Sequence, residues 1–121
     1  MKNRKEKNIY LVEDNLALKD LYKRFILNNT KSEIVFIEFD DMLRKSNKII
    51  AKKEKIIVDI SRSSNYILKI ATLKKIFFDH SSLLILLVNE SQSIDLKKNA
   101  FLSERILIPN DLEQIKIKLE L

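Results

Sequence analysis

The chain has no cysteine, no glycine and no tryptophan, and its single proline is Pro109. Without cysteine there is no disulfide framework, no thiol nucleophile and no zinc–thiolate site. Without glycine, the phosphate-cradling loops and dinucleotide fingerprints are excluded, and with them the familiar nucleotide-binding enzymes. Any turn that needs a positive φ must use Asn, Asp, Ser or Lys, at some energetic cost. Long apolar runs are missing as well. The longest, Leu83 to Val88, suits a buried strand and falls far short of the roughly 20 residues that span a bilayer. Residues 1–8 are polar and basic, which argues against a signal peptide. The expectation is a cytoplasmic protein with no membrane partner.

What is present is ordinary for one globular domain: 121 residues, 45% hydrophobic and 33% charged, enough for a single core. The net charge of +6 raises the question of nucleic acid. The basic residues, however, are scattered among the tail, Lys52, Lys53, Lys55, Lys74, Lys75, Lys97 and Lys98. No stripe of aromatics interleaves with them as a single-strand binding face requires, so solvated helix faces account for most of them. The chain divides into a basic N-terminal tail, 1–7, and one domain, 8–121.

Along that domain, 8–12 is a short apolar run ending in Glu13-Asp14-Asn15, a buried strand feeding a loop. Leu18, Leu21, Tyr22, Phe25 and Ile26 recur at helical spacing and stop at Asn28-Asn29-Thr30. Ile34 to Phe39 reads as a second strand, and Asp40 or Asp41 caps a helix to about Lys53. Ile56-Ile57-Val58 is a third strand, stopped by Asp59. Ser63 or Ser64 caps a helix with Tyr66, Ile70, Leu73 and Phe77 on one face. A turn at 79–81 leads to the strand Leu83–Val88, then a short helix over Ile94 to Leu102. Ile106-Leu107-Ile108 is a last strand before Pro109. Asn110 or Asp111 caps a final helix carrying Leu112, Ile115 and Leu119. Five strand–helix repeats with continuously apolar strands predict an α/β domain with a parallel sheet covered on both faces. Right-handed crossovers make it a doubly wound three-layer sandwich, order 2-1-3-4-5.

In that order the first and third strands are neighbours, so Glu13, Asp14 and Asp59 converge at their carboxyl ends. Clustered carboxylates raise one another's pKa unless a cation or hydrogen bonds offset the charge. A hard divalent ion, most naturally Mg²⁺, suits such oxygens. Each acid alone has a plainer reading as a helix cap, a solvated side chain or a strand end.

Tyr10-Leu11-Val12-Glu13-Asp14-Asn15 resembles the opening motif of response-regulator receiver domains, and Ile56-Ile57-Val58-Asp59 their phosphoacceptor strand. The 45 residues from Asp14 to Asp59 suit that family's spacing, and residues 106–111 resemble its last strand with the proline that follows. The resemblance implies a (βα)5 flavodoxin-like fold and a non-enzymatic role in two-component signalling. Asp59 would accept a phosphoryl group from a histidine kinase, and Glu13, Asp14 and Asp59 would hold Mg²⁺ against it. Asn15 reads as a helix cap. The resemblance also implies a cis bond before Pro109.

The chain departs from the family where the phosphorylated state is read out. The signalling hydroxyl falls near Asn89, with Ser91 two residues late; the lysine before the proline is Ile108; the switch aromatic is Arg105. An apolar side chain cannot pair with a phosphoryl group, and an amide cannot move in as a hydroxyl does. The expected function is therefore an atypical stand-alone receiver acting as a signalling interaction module, monomeric or weakly dimeric, with weak or absent phosphorylation control. The alternative is a conventional Mg²⁺-dependent aspartyl phosphoacceptor in a phosphorelay. A basic adaptor for nucleic acid is a distant third. The only histidine, His80, falls in a turn away from the acids.

Overall fold

The computed structural model describes residues 7–96, 106–107 and 112–119. Four strands, β1 (Ile9–Val12), β2 (Ile34–Phe36), β3 (Lys55–Asp59) and β4 (Leu84–Leu87), form an all-parallel sheet in the order β2-β1-β3-β4. The register pairs Tyr10 with Val35 on one side and with Ile56 on the other, and Val58 with Leu86. Beyond β4, the two residues Ile106–Leu107 pair in parallel with Leu86 and Leu87.

The helices are α1 (Leu16–Asn29), α2 (Phe39–Arg44), α3 (Ser46–Ala51), α4 (Tyr66–Ile76), α5 (Glu90–Leu96) and α6 (Leu112–Leu119), with a 3₁₀ segment at Phe78–Leu83. Alternation along the strands sorts them into two layers. Tyr10, Val12, Ile56, Val58, Leu84 and Leu86 point to the side of Met42, Ile49, Ile70, Leu73 and Leu96, from α2 to α5. Ile9, Leu11, Ile57, Ile85 and Leu87 point to the side of Tyr22, Ile26, Ile115 and Leu119, from α1 and α6. Both faces of the sheet are thus covered, which is why β4 and the three central residues of β3 read as apolar runs. Burying each of these aliphatic side chains stabilises the fold by about 1.5–3 kcal/mol relative to leaving it exposed.

Several boundaries differ from the sequence expectations. The helix expected from Asp40 or Asp41 to Lys53 is two helices, broken at Lys45 (φ −97°, ψ 5°). The residue before the first of them is Glu38, so Asp40 and Asp41 lie within the first turn, where carboxylates favour the helix dipole. Neither Ser63 nor Ser64 caps α4, which begins only at Tyr66. α5 begins at Glu90, four residues before the expected Ile94, because Asn89 and Gln92 make reciprocal hydrogen bonds. Asn89 Oδ1 accepts from the Gln92 amide (2.8 Å), and Gln92 Oε1 accepts from the Asn89 amide (2.9 Å). This is a capping box. The remainder of the expected helix to Leu102, with Arg105, Ile108, Pro109, Asn110 and Asp111, lies outside the described residues.

The chain ends α3 without glycine by placing Lys53 at φ 55°. The Lys53 amide donates to Ile50 O (3.0 Å) and the Glu54 amide to Ile49 O (3.1 Å), which closes a Schellman motif. Among the described residues no helix is long and apolar enough to cross a membrane.

Candidate functional site

β1 and β3 are adjacent and parallel, so their carboxyl ends deliver Glu13, Asp14 and Asp59 to one edge of the sheet. Asn15 caps α1, its Oδ1 accepting from the Leu18 amide at 3.0 Å. This sends the chain away from the sheet immediately after the acid pair. Glu13 is buried and Asp14 is almost fully exposed. The Asp59 side chain is 1% exposed.

Arg62, on the loop after β3, holds the three acids together. Its Nη2 lies 2.6 Å from Glu13 Oε2 and 2.8 Å from Asp14 Oδ1, and its Nη1 lies 3.7 Å from Asp59 Oδ2. Glu13 Oε2 also accepts from the Asn15 amide (3.0 Å). Asp59 Oδ1 accepts from both the amide (2.8 Å) and the hydroxyl (2.6 Å) of Ser61. The remaining oxygens, Glu13 Oε1 and Asp59 Oδ2, are buried without a hydrogen-bond partner.

These surroundings separate the two adjacent acids. Burial, reinforced by the neighbouring Asp59 carboxylate, pushes Glu13 up to about 7. The hydrogen bond from Arg62 pulls Asp14 below its ordinary value. Arg62 is held more firmly protonated by Asp14 and then by Glu13.

The two buried oxygens without a hydrogen-bond partner are the feature that suits a hard cation here, and Asp14 would be the further ligand. With the side chains as they stand, no group of three or more His, Cys, Asp or Glu among the described residues is arranged to hold a metal. Asp14 and the second Glu13 oxygen are committed to Arg62. An ion held by Glu13, Asp14 and Asp59 would supply positive charge to whatever oxygens gather at Asp59.

Asn89 does not face the acids with a free amide. Its Nδ2 donates to Ser61 O (2.8 Å), and Gln92 Nε2 donates to Ile60 O (2.9 Å). The pair therefore grips the loop that carries Ser61 and Arg62. Ser91 is exposed on α5, and His80 is exposed in the 3₁₀ segment. Arg105, Ile108 and Pro109 fall outside the described residues, as does any bearing they have on the site.

A cleft of about 930 Å³ opens over the acids, between them and the loop after β2. Its walls carry Lys19 over the Phe36 ring (5.6 Å) and Lys69 over the Phe39 ring (5.2 Å). Lys69 also donates to Ser63 Oγ at 3.0 Å. The cleft thus has an acidic floor and walls of mixed charge, with Lys19, Lys45 and Lys69 beside Glu38 and Asp41.

Arg62 and Gln92 were not marked by the sequence. For Arg62 the available signal was a lone arginine three residues after Asp59. For Gln92 it was the Asn-x-x-Gln spacing of a capping box. No protein-family model, curated protein or solved structure matches this chain.

Proposed function

We propose that this chain is an atypical receiver-like signalling module that acts through protein–protein contact, with weak or absent control by phosphorylation of Asp59. The observation that carries the reading is the state of Asp59. Its carboxylate ends a central parallel strand beside Glu13 and Asp14, yet one oxygen is held twice by Ser61 and the other lies buried beneath Arg62. A phosphoryl group must approach a carboxylate oxygen roughly in line with its leaving group, and here both oxygens are covered. The amide at the read-out position is likewise committed, to Ser61 O.

In this reading Ile106–Leu107 belongs to a full fifth strand, and the domain is a (βα)5 flavodoxin-like sandwich of order 2-1-3-4-5. Its parallel pairing with β4 supports that completion. The module is non-enzymatic and cytoplasmic, a monomer or weak dimer. It meets a histidine kinase or another signalling protein through the face built by the last two strands and helices. Mg²⁺ is the cofactor the three acids would take.

The test exposes the full chain to acetyl phosphate, and separately to beryllofluoride, each with Mg²⁺. Intact mass should show little phosphoryl gain, and NMR shifts with beryllofluoride should stay within the loops around Asp59. Stoichiometric phosphorylation with shifts spreading through β4, α5 and α6 would overturn the reading in favour of a conventional phosphoacceptor.

A further inference from the structure

The acid cluster already contains a cation. All three carboxylates face the Arg62 guanidinium, at 2.6 Å for Glu13, 2.8 Å for Asp14 and 3.7 Å for Asp59. Nη2 serves Glu13 and Asp14 while Nη1 lies toward Asp59, so the two arms of the fork cover all three acids at once. The negative charge that draws this guanidinium is the charge that would draw a divalent ion. A magnesium ion needs near-octahedral oxygens at about 2.0–2.1 Å. Glu13 Oε1 and Asp59 Oδ2 are buried inside the cluster without a hydrogen-bond partner. The further oxygens, from Asp14 and from the other side of Glu13, are held by Arg62.

The geometry points to Arg62 as a built-in counter-ion that competes with a divalent cation for Glu13, Asp14 and Asp59. Arg62 seated and ion bound are alternative states of the same carboxylates. The exchange needs only a side-chain swing, because Arg62 is 46% exposed and opens to solvent. The loop beneath it can stay in place, gripped by Asn89 and Gln92 at Ser61 O and Ile60 O. The inference rests on reading the cluster as a cation site and does not require Asp59 to accept a phosphoryl group.

The test is a Mg²⁺ titration of the full chain and of Arg62→Met, by calorimetry and by NMR, without any phosphodonor. The variant should bind Mg²⁺ at least tenfold more tightly than the wild type, and it should gain more thermal stability from the ion. In the wild type, the Arg62 side-chain resonances should shift in step with ion binding. Equal affinities, tighter binding by the wild type, or no binding by a folded Arg62→Met would overturn the inference. So would saturation of the wild type with Arg62 unmoved. If Arg62→Met does not fold, Arg62→Lys takes its place, because it keeps one charge and loses the fork. Its affinity should exceed that of the wild type, and equality again refutes. Failure of the receiver-like reading is seen separately, in the phosphodonor experiment.

Discussion

Gln92→Ala tests how the loop bearing Arg62 is positioned. Gln92 is buried at 4% exposure. Its side chain donates to Ile60 O at 2.9 Å and accepts from the Asn89 amide at 2.9 Å. Truncation removes both bonds. Ile60 O is not stranded, because it also accepts from the Ser63 amide (3.0 Å). Asn89 is exposed, so water can reach its amide. The cost is therefore two net hydrogen bonds of about 0.5–1.5 kcal/mol each, without the full desolvation penalty. The higher helix propensity of alanine returns a few tenths. We expect a loss of about 2 kcal/mol, or a fall in Tm of about 6–10 °C for a domain of this size. Urea unfolding gives the first number and calorimetry the second. Hydrogen exchange at Ser61, Arg62 and Ser63 should speed up more than in α1. Asn89→Ala and the double variant complete a cycle, which should be non-additive because the two side chains form one unit. A loss below about 0.5 kcal/mol, or additive effects, would refute the claim that this pair anchors the loop.

Two further perturbations follow from the geometry. Glu13 has a folded pKa near 7, raised from 4.5, so its stabilising contribution is complete below the lower value and is lost as pH rises through the higher one. Asp14, shifted down by Arg62, contributes with the opposite sign, and its share is lost only as pH falls below its ordinary 3.8. In metal-free buffer, urea midpoints of the wild type should fall between about pH 4.5 and pH 7, and Glu13→Gln should abolish that slope; an unchanged slope would show that another group titrates. Lys53→Gly should stabilise the fold by about 1 kcal/mol, because a lysine pays for the left-handed conformation that glycine adopts freely. A lower denaturation midpoint for that variant would count against the φ assignment.

The sheet was legible because β1, the centre of β3 and β4 are short apolar runs bounded by polar residues, the pattern of strands buried on both faces. The acids were legible for the same reason: Glu13, Asp14 and Asp59 follow strands that a doubly wound order must bring together. The break at Lys45 was not, since neither glycine nor proline marks it. Met42 and Ile49, both buried against the sheet, share a helical face in an unbroken reading too. Arg62 was hidden because its ion pairs bridge 48 and 49 residues of sequence. Such contacts become visible only once the strand order is known. Asn89 was read through a missing hydroxyl, which drew attention away from its local partner at Gln92.

The strand order has a consequence for how the chain reaches its native state. Tyr10 pairs with Ile56, 46 residues downstream. At about 5–20 residues per second, synthesis takes roughly 2–9 s to supply that partner. During this interval Ile9 to Val12 has neither central neighbour nor closed core, and such long-range parallel pairing is intrinsically slow. Glu13 and Asp14 wait with it, since Asp59 and Arg62 arrive only with β3. A nascent chain halted before β3 therefore carries the first two acids as ordinary solvated carboxylates. Their altered protonation and their grip on Arg62 begin when the middle of the sheet closes, so the site itself reports that β1 and β3 have paired.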